Sequence, residues 1–328
     1  MKGILETMVS MMVVSLSLAS STPASCENPR IRKSWSSLTL DEQTEYINST
    51  LCLMDPKLAP AKTGTAPSSH GIGGIPKSTK IYFETSVAIL ARTREIFQAA
   101  YPHVSSNFLR RYWDEQADQA SRPLQNATVW STSSTSGFGT GNTDENDCVV
   151  DGAFANITYS LTTNLTQTAD TCMKRVFNQT QFDSVSQTVV DSCMDIDDYW
   201  KMWACLGNTP HTGGHFGVGG TMEHVSMSAF DPIFFLHHTN LDRLWTEWQS
   251  RDTKRLTAMG GPRIAPQTPF GDAQPASLGY GAFIPYFGDR SNVTTLRHNM
   301  WMAGIVPNIT VADAMNVENA GMCIKYDK

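Results

Sequence analysis

Four histidines in the second half of the chain have the type and spacing of metal ligands. His211 and His215 are separated by three residues, so on a helix they project from one face about one turn apart. Two imidazoles placed in this way can bind the same ion. His237 and His238 follow on a second predicted helix and can supply a third nitrogen. Because successive side chains on a helix diverge by about 100°, we expect one of this pair to be a ligand and the other to pack beside it.

The second predicted helix has a clear start and a periodic apolar face. Asp231 is a residue type that caps helices, and Pro232 suits the first helical position because a missing N–H costs nothing there. The glycine-rich stretch 213–220 lets the backbone between the two helices pass close to a buried centre. Large apolar residues recur at helical spacing, at Phe234, Leu241, Leu244, Trp245 and Trp248. The sequence therefore predicts two neighbouring helices facing one ion.

The metal prediction depends on the whole stretch and not on one pair. An isolated H-x-x-x-H is weak evidence, because such histidines are more often surface residues or satisfied core residues. Here the block D-P-I-F-F-L-H-H-x-x-x-D-R-x-W follows it, over residues 231–245. Three imidazoles with an open position suit copper, zinc and iron equally by ligand type. A zinc hydrolase is disfavoured, since H-T-G-G-H lacks the glutamate that a zincin helix places beside its first histidine.

This stretch resembles the second copper site of tyrosinases and related type-3 copper proteins. The resemblance rests on the two spaced histidines, the block at 231–238, Asp242-Arg243 and Trp245. It covers residues 26–52 and 112–328, where the opening resembles that of short secreted fungal tyrosinases. It implies a mainly α fold, with a four-helix-bundle core of the tyrosinase type, long loops and ligands on the inward faces of the helices.

The resemblance also assigns roles to individual residues. It makes His211, His215 and His238 the copper ligands, and it makes His237 the preceding non-ligand. It places Thr212 near the mouth of the substrate site, where this residue can affect how a phenol is oriented or deprotonated. The choice of copper over zinc or iron follows from the family and not from the ligand types.

The first copper site that the resemblance implies is incomplete in this sequence. A tyrosinase has three histidines in that region, the last within a block such as F-L-P-W-H-R, whereas the histidines before position 211 are His70 and His103. His70, in H-G-I-G-G, is a candidate remnant of this site. When the chain is laid on the block, Thr93 takes the position of the third ligand, and the resemblance resumes at residues 112–115. Either the protein has lost its first site, or residues 72–111 come from a mis-spliced or frame-shifted gene model.

The function that the resemblance implies is a tyrosinase-like copper oxidoreductase. In that family a dicopper centre uses O₂ to ortho-hydroxylate phenols and to oxidise catechols to quinones. The expected partners are O₂ and a small phenolic substrate: free or peptidyl tyrosine, or a phenolic secondary metabolite of a fungus. The alternative is a non-catalytic tyrosinase-like protein with a single copper, acting as a binding or partner protein. We expect one copper for the chain as written, and two if the true gene product keeps the first site.

Composition and charge restrict the other possibilities. The chain has 328 residues, 41% of them hydrophobic, which is enough for a domain with a substantial core. The charge is 25 minus 31, or −6, and no basic run is present, so nucleic-acid binding is disfavoured. Lys2, an apolar stretch at 8–18 and small residues after it predict a signal peptide cleaved after Ala19 or Ala24. The stretch is too short to span a bilayer. We therefore expect a signal at 1–24, a copper-binding domain at 25–328 and no membrane partner.

Sequons and cysteines also favour a secreted glycoprotein. Seven cysteines suit an oxidising compartment, and the odd number leaves at least one without an intramolecular partner. Cys26 and Cys52 are a candidate pair, whereas Cys193 and Cys205 can pair only if the chain between them bends back. The candidate N-glycosylation sites are Asn48, Asn126, Asn156, Asn164, Asn178, Asn292 and Asn308.

Overall fold

The computed structural model describes residues 26–54, 111–141, 146–164, 167–224, 227–261, 293–300, 309–319 and 322–328. Within these ranges most of the regular structure is helical, as predicted. The α-helices are α1 (Leu40–Met54), α2 (Glu115–Ser121), α3 (Gln179–Phe182), α4 (Gln187–Met194), α5 (Tyr199–Leu206), α6 (Thr212–Val218), α7 (Ile233–Ser250) and α8 (Val311–Ala314).

The strands in the described part of the chain form three small sheets. They are β1 (Arg30–Ser34), β2 (Arg111–Tyr112), β3 (Thr158–Asn164), β4 (Gln167–Cys172), β5 (Asn299–Met300), β6 (Ile309–Thr310) and β7 (Ile324–Tyr326). In one sheet β1 lies between β2 and β7 and is parallel to both, while β3–β4 and β5–β6 are antiparallel pairs. The first sheet joins both ends of the chain to the segment that leads into α2.

Helix α7 is the element against which the rest of the described core packs. All of residues 233–242 are buried. Phe234, Phe235 and Leu236 belong to one apolar cluster, and Leu241, Leu244 and Trp248 belong to a second. A helix that is buried on all sides lies in the interior of a domain. The predicted apolar stripe is therefore confirmed, but the burial of α7 extends well beyond it.

The start of α7 is held by an ion pair that joins it to a distant segment. Asp231 Oδ1 accepts the Ile233 N–H at 3.1 Å, which agrees with the predicted capping role. The same carboxylate accepts hydrogen bonds from Arg175 Nε at 2.7 Å and from Arg175 Nη2 at 2.9 Å. Both side chains are fully buried. Arg175 Nη1 also donates to the carbonyls of Phe138 and Gly139. Asp231 thus couples the start of the helix to the long loop before β3.

Strands β1 and β7 are attached to α7 about three turns further along the helix. Arg32 of β1 donates to Asp242 Oδ2 at 2.6 Å, and the Tyr326 hydroxyl of β7 donates to the same oxygen at 2.5 Å. A disulfide between Cys26 and Cys323 joins the two ends. The predicted pairing of Cys26 with Cys52 is therefore wrong, because the parallel pairing of β1 with β7 brings the C-terminal cysteine to Cys26 instead.

The other cysteines follow the predicted constraints. All seven lie in the described part of the chain, where Cys148 bonds Cys172, Cys193 bonds Cys205, and Cys52 alone forms no disulfide. Residues 195–198 separate helix α4 from helix α5. This break bends the chain back, which is the condition for pairing Cys193 with Cys205. Disulfides that close such loops stabilise mainly by restricting the unfolded chain.

Several predictions about targeting concern residues that the structure describes only in part. The side chains of Asn48, Asn126, Asn156 and Asn178 are exposed, as glycosylation requires. The side chains of the other three sequon asparagines, the predicted signal at 1–24 and residues 72–110 lie outside the described residues. Within the described ranges, no helix combines the length and hydrophobicity needed to cross a membrane.

Replacing Asp231 with alanine should be strongly destabilising, because it leaves the buried Arg175 guanidinium without its carboxylate. Removing one partner of a buried ion pair costs about 3–5 kcal/mol, and we expect the free energy of unfolding to fall by about this amount in urea titrations. Asp195→Ala is the matched control, since it removes the exposed pair with Arg251 and should cost less than about 1 kcal/mol. Equal decreases in the free energy of unfolding of the two variants would contradict the conclusion that the buried Arg175–Asp231 pair stabilises the fold.

Candidate metal centre

His211 and His215 lie on one helical segment that contains a local widening. Helix α5 runs through a π-helical turn, Gly207–His211, directly into α6. Pro210 lies inside this turn and cannot donate a backbone hydrogen bond, which suits the irregular ladder there. Single π turns in α-helices are frequent at functional sites. His211 ends the turn, and His215 follows one helical turn later.

Hydrogen bonds to backbone carbonyls orient both of these rings. His211 Nδ1 lies 3.1 Å from the Gly207 carbonyl oxygen, and His215 Nδ1 lies 2.8 Å from that of Met222. Because a carbonyl oxygen only accepts, Nδ1 carries the proton in each ring. A neutral imidazole with its proton on Nδ1 keeps its lone pair on Nε2. This is the tautomer that coordinates a metal through Nε2.

The two histidines of α7 complete a cluster of four rings. One ring nitrogen from each of His211, His215, His237 and His238 lies within 4.8 Å of the others. His215 Nε2 and His238 Nε2 are 3.2 Å apart. Two nitrogens bound tetrahedrally at about 2.0–2.1 Å from one ion are separated by roughly 3.3 Å. The three histidines assigned as ligands from the sequence are therefore brought together, and His237 joins them.

His237 enters the cluster because α6 offers it space. Its ring packs directly on Gly214, which lies between His211 and His215 and has no side chain to displace it. His237 Nδ1 donates to Glu115 Oε1 at 2.6 Å, and both side chains are fully buried. His237 Nε2 is buried and has no hydrogen-bond partner in the described structure. The sequence argument foresaw a single inward ring from the adjacent pair, whereas both rings lie in the cluster.

Burial keeps the three assigned ligands in the uncharged form. Burial, with a smaller contribution from the nearby His237 ring, lowers the pKa of His211 from the ordinary imidazole value of 6.5 to about 3. Burial also lowers the pKa values of His215 and His238 well below 6.5, with the neighbouring imidazoles adding to the effect. Neutral imidazole is the form that binds metal. These residues fit an ion with nitrogen ligands, and copper, zinc and iron all meet that description.

The remaining residues singled out in the sequence occupy other places. The Thr212 hydroxyl donates to the carbonyl of Asn208 at 2.8 Å, so this half-buried side chain is bonded back onto its own helix. His224 is exposed, and neither it nor His298 belongs to the cluster found among the described residues. His70 and His103 lie outside the described ranges.

Sequence reasoning missed the polar residues that support His237. Glu115 Oε2 accepts from Asn240 Nδ2 at 3.0 Å, and Asn240 also contacts Gln116. Arg243 Nε donates to Asn240 Oδ1 at 3.0 Å. The sequence of α7 does contain a pattern that indicates such a network. Positions 237, 240 and 243 are polar and spaced by three, so they lie along one side of a buried helix. Their partners on α2 could not be inferred from that spacing.

Comparisons with known proteins place this site in a family. Residues 92–251 match the family model described as the common central domain of tyrosinase. A tyrosinase-like protein from Diaporthe leptostromiformis is 28% identical over 340 residues, covering 93% of this chain and 82% of its own. A tyrosinase from Aspergillus flavus is 27% identical over 272 residues, covering 74% of this chain and 72% of its own. The solved structure of a Thermothelomyces thermophila polyphenol oxidase variant covers 92% of this chain and 91% of its own, with a TM-score of 0.63 and 18% identity.

The matched range, just under half of the chain, and the tyrosinase-like relatives support membership of the tyrosinase family, whose metal is copper. The mainly α fold is of the tyrosinase type. The matched range begins at residue 92. It therefore includes part of the segment 72–111, for which a gene-model error is one explanation, and it does not reach His70. The described cluster lies entirely within the matched range.

The metal-free protein should lose stability as the pH falls from about 6.5 towards 3. Unfolded imidazoles take up protons near pH 6.5, whereas folded His211 does so only near pH 3. The unfolded state therefore binds more protons in this window, and the free energy of unfolding decreases with falling pH. His211→Gln removes one of these protonations, so urea titrations at pH 7 and pH 5 should show a smaller decrease for this variant. Parallel pH profiles would contradict the prediction.

Proposed function

We propose that this protein is a secreted copper oxidoreductase that oxidises phenolic compounds with O₂. The histidine cluster at α6 and α7, in which His211 and His215 are half-buried, His238 is buried and all three are held neutral, is the observation that carries the proposal. The family relationship supports copper as the metal. In the proposed reaction, two catechols lose four electrons and four protons to one O₂, giving two quinones and two waters. A phenol and one O₂ give an ortho-quinone and one water.

His211, His215 and His238 are the proposed copper ligands. Copper, when bound, supplies the redox and O₂ chemistry that side chains lack. The residues of the chain hold these imidazoles neutral, fix the tautomers of His211 and His215 through backbone carbonyls and bury His238. The Phe234 ring lies 4.0 Å from the His238 ring, centroid to centroid, and provides an apolar wall beside the cluster. Such a wall suits an aromatic substrate. Thr212 remains a proposed contributor to substrate orientation.

The substrate class and the location are also proposals. A phenolic secondary metabolite, or free or peptidyl tyrosine, is consistent with the similarity to fungal tyrosinase-like proteins. Secretion is supported by three disulfides and by exposed sequon asparagines in the described structure. The N-terminal signal is proposed from the sequence alone.

A second candidate function is a non-catalytic protein that binds one copper. In the part of the chain that the structure describes, a single group of metal-ligand side chains is found, the four histidines. The sequence adds only His70 and His103 before His211, fewer histidines than a complete first site of this family contains. A protein with one copper site would serve as a binding or partner protein.

His238→Ala should abolish copper binding at the described cluster. We expect copper per chain, measured by elemental analysis, to fall by one, and catechol-dependent O₂ uptake to fall by at least about 100-fold. His224→Ala is the matched control, because this exposed histidine lies outside the cluster and its loss should change neither value. Retention of copper by His238→Ala would refute the ligand assignment.

The same measurements separate the two candidate functions. Two coppers per wild-type chain with catechol-dependent O₂ uptake support the oxidase. One EPR-visible Cu(II) per chain without O₂ uptake supports the single-copper binding protein. The wild-type protein therefore needs to be assayed for metal content and for O₂ uptake in the same preparation.

The transcript across residues 65–115 should encode a W-H-R block that the chain as written lacks. The reason is that resemblance to the family is present on both sides of this segment, as expected when a splice or frame error replaces a short stretch. Sequencing the transcript provides the measurement. A transcript that matches the chain residue for residue would show instead that the first site has been lost.

A further inference from the structure

We propose that Thr221 is a positioning residue of the metal centre: its hydroxyl fixes the turn whose Met222 carbonyl orients the His215 ring. The inference rests on the proposed function, because it concerns how tightly the histidine cluster binds copper. It deepens that function by giving one of the three proposed ligands a support that comes from β3 and from the segment after β4.

His215 is oriented by a carbonyl that lies outside its own helix. Its Nδ1 lies 2.8 Å from the carbonyl oxygen of Met222, which belongs to the 3₁₀ turn Gly220–Glu223 that follows α6. His211, by contrast, is oriented by the carbonyl of Gly207 within its own helical segment. The direction of the His215 ring therefore depends on where this turn lies relative to α6. Carbonyls that accept from a ligand histidine orient the ring and tune its affinity for metal.

Thr221 fastens this turn to the segment that follows β4. Its backbone N–H donates to the Lys174 carbonyl at 2.9 Å, and its Oγ1 accepts from the Lys174 N–H at 2.9 Å. Both backbone polar groups of Lys174 are therefore bonded to one threonine. The Thr221 side chain is buried, so loss of Oγ1 would leave the part-buried Lys174 N–H without its acceptor.

Two glycines allow the turn to approach this segment closely. Gly219 has a φ of 64° and Gly220 a φ of 57°, a backbone conformation that favours glycine. A Cβ atom on Gly219 would lie 2.3 Å from the Val176 carbonyl oxygen, and one on Gly220 would lie 2.4 Å from that of Lys174. Backbone therefore packs directly on backbone at this point. Thr221 carries the first side chain after the contact, and its hydroxyl forms a bond across it.

A tyrosine of β3 links Thr221 to the start of α7. The Tyr159 hydroxyl lies 2.7 Å from Thr221 Oγ1. The Tyr159 ring is stacked on Phe230, with centroids 4.6 Å apart, and Phe230 directly precedes the capping residue Asp231. Burial raises the pKa of the Tyr159 phenol to about 12, so its hydroxyl keeps its proton at neutral pH. Tyr159 thus contacts both the turn after α6 and the residue before the α7 cap.

The segment after β4 is also attached to both helices that supply ligands. Lys174 holds the turn after α6, and the neighbouring Arg175 holds Asp231 at the start of α7. This double attachment fixes the separation of His215 and His238, whose Nε2 atoms are 3.2 Å apart. Residues of a functional site must be held within about 0.5 Å of the productive geometry. A turn released from this segment would lose that precision at His215 first.

The test removes the Thr221 hydroxyl while keeping the size of the side chain. Metal-free Thr221→Val is given one equivalent of Cu(II), and its affinity is measured by competition with a chelator. We expect Cu(II) binding to weaken by about 10-fold, the lower end of the loss caused by removing a group that supports a metal ligand. The copper hyperfine splitting in the EPR spectrum should also change, because the His215 ring is less well fixed. Thr221→Ser keeps Oγ1 and should restore the wild-type affinity and spectrum.

A matched control separates this role from the loss of a buried hydroxyl in general. Thr50 is fully buried, and its hydroxyl donates to the Tyr46 carbonyl within α1. Thr50→Val should therefore lower the free energy of unfolding in urea titrations and leave the Cu(II) affinity unchanged. Tyr159→Phe keeps the stacked ring but removes its hydroxyl, and it should weaken Cu(II) binding by a smaller factor than Thr221→Val does.

The outcomes distinguish this inference from the proposed function. Wild-type affinity and an unchanged spectrum in Thr221→Val would overturn the inference alone, as would equal losses of affinity in Thr221→Val and Thr50→Val. If Thr221→Val does not fold, Tyr159→Phe decides, and wild-type Cu(II) affinity in that variant overturns the inference. Failure of wild-type protein to bind Cu(II), or normal binding by His238→Ala, would overturn the proposed function and this inference with it.

Discussion

The described structure depends on α7 being buried on every side while carrying polar and ionisable groups. A buried polar group without a partner costs about 1–3 kcal/mol, so the ionisable groups on and beside this helix are stabilised by partners from elsewhere in the chain. Asp231 is matched by Arg175, the His237 ring by Glu115, and Asp242 by Arg32 and Tyr326. These partners come from the connection between β4 and α3, from α2, and from β1 and β7. The need to pair the buried polar groups of this one helix therefore determines where four distant segments lie.

Local patterns were sufficient to predict the parts of this arrangement that are local. The spacing of His211 and His215, the start of α7 and its apolar stripe could all be predicted, because helical periodicity and capping involve residues close in sequence. The bend between Cys193 and Cys205 could be stated only as a condition for pairing, and the break between α4 and α5 meets it.

The partners of α7 could not be predicted, because they lie far away in sequence. Arg175 and Glu115 are separated from their α7 partners by 56 and 122 residues, and no spacing rule extends so far. The parallel pairing of β1 with β7 is equally non-local, which is why Cys26 was paired with the wrong cysteine. The argument that adjacent histidines diverge was sound for a bare helix. It did not include Gly214 on α6, whose missing side chain lets the diverging ring still reach the cluster.

The same matching of polar groups bears on how the centre keeps its shape without metal. The rings of His211 and His215 are held by the carbonyls of Gly207 and Met222. The His237 ring is held by Glu115 of α2. Each Nδ1 bond fixes a ring before an ion arrives, so little ordering remains to be done on binding. The His237 ring is therefore preorganised by a partner that α7 needs for folding. In this chain, Glu115 and Asn240 satisfy buried groups of α7 and at the same time fix the position of the His237 ring.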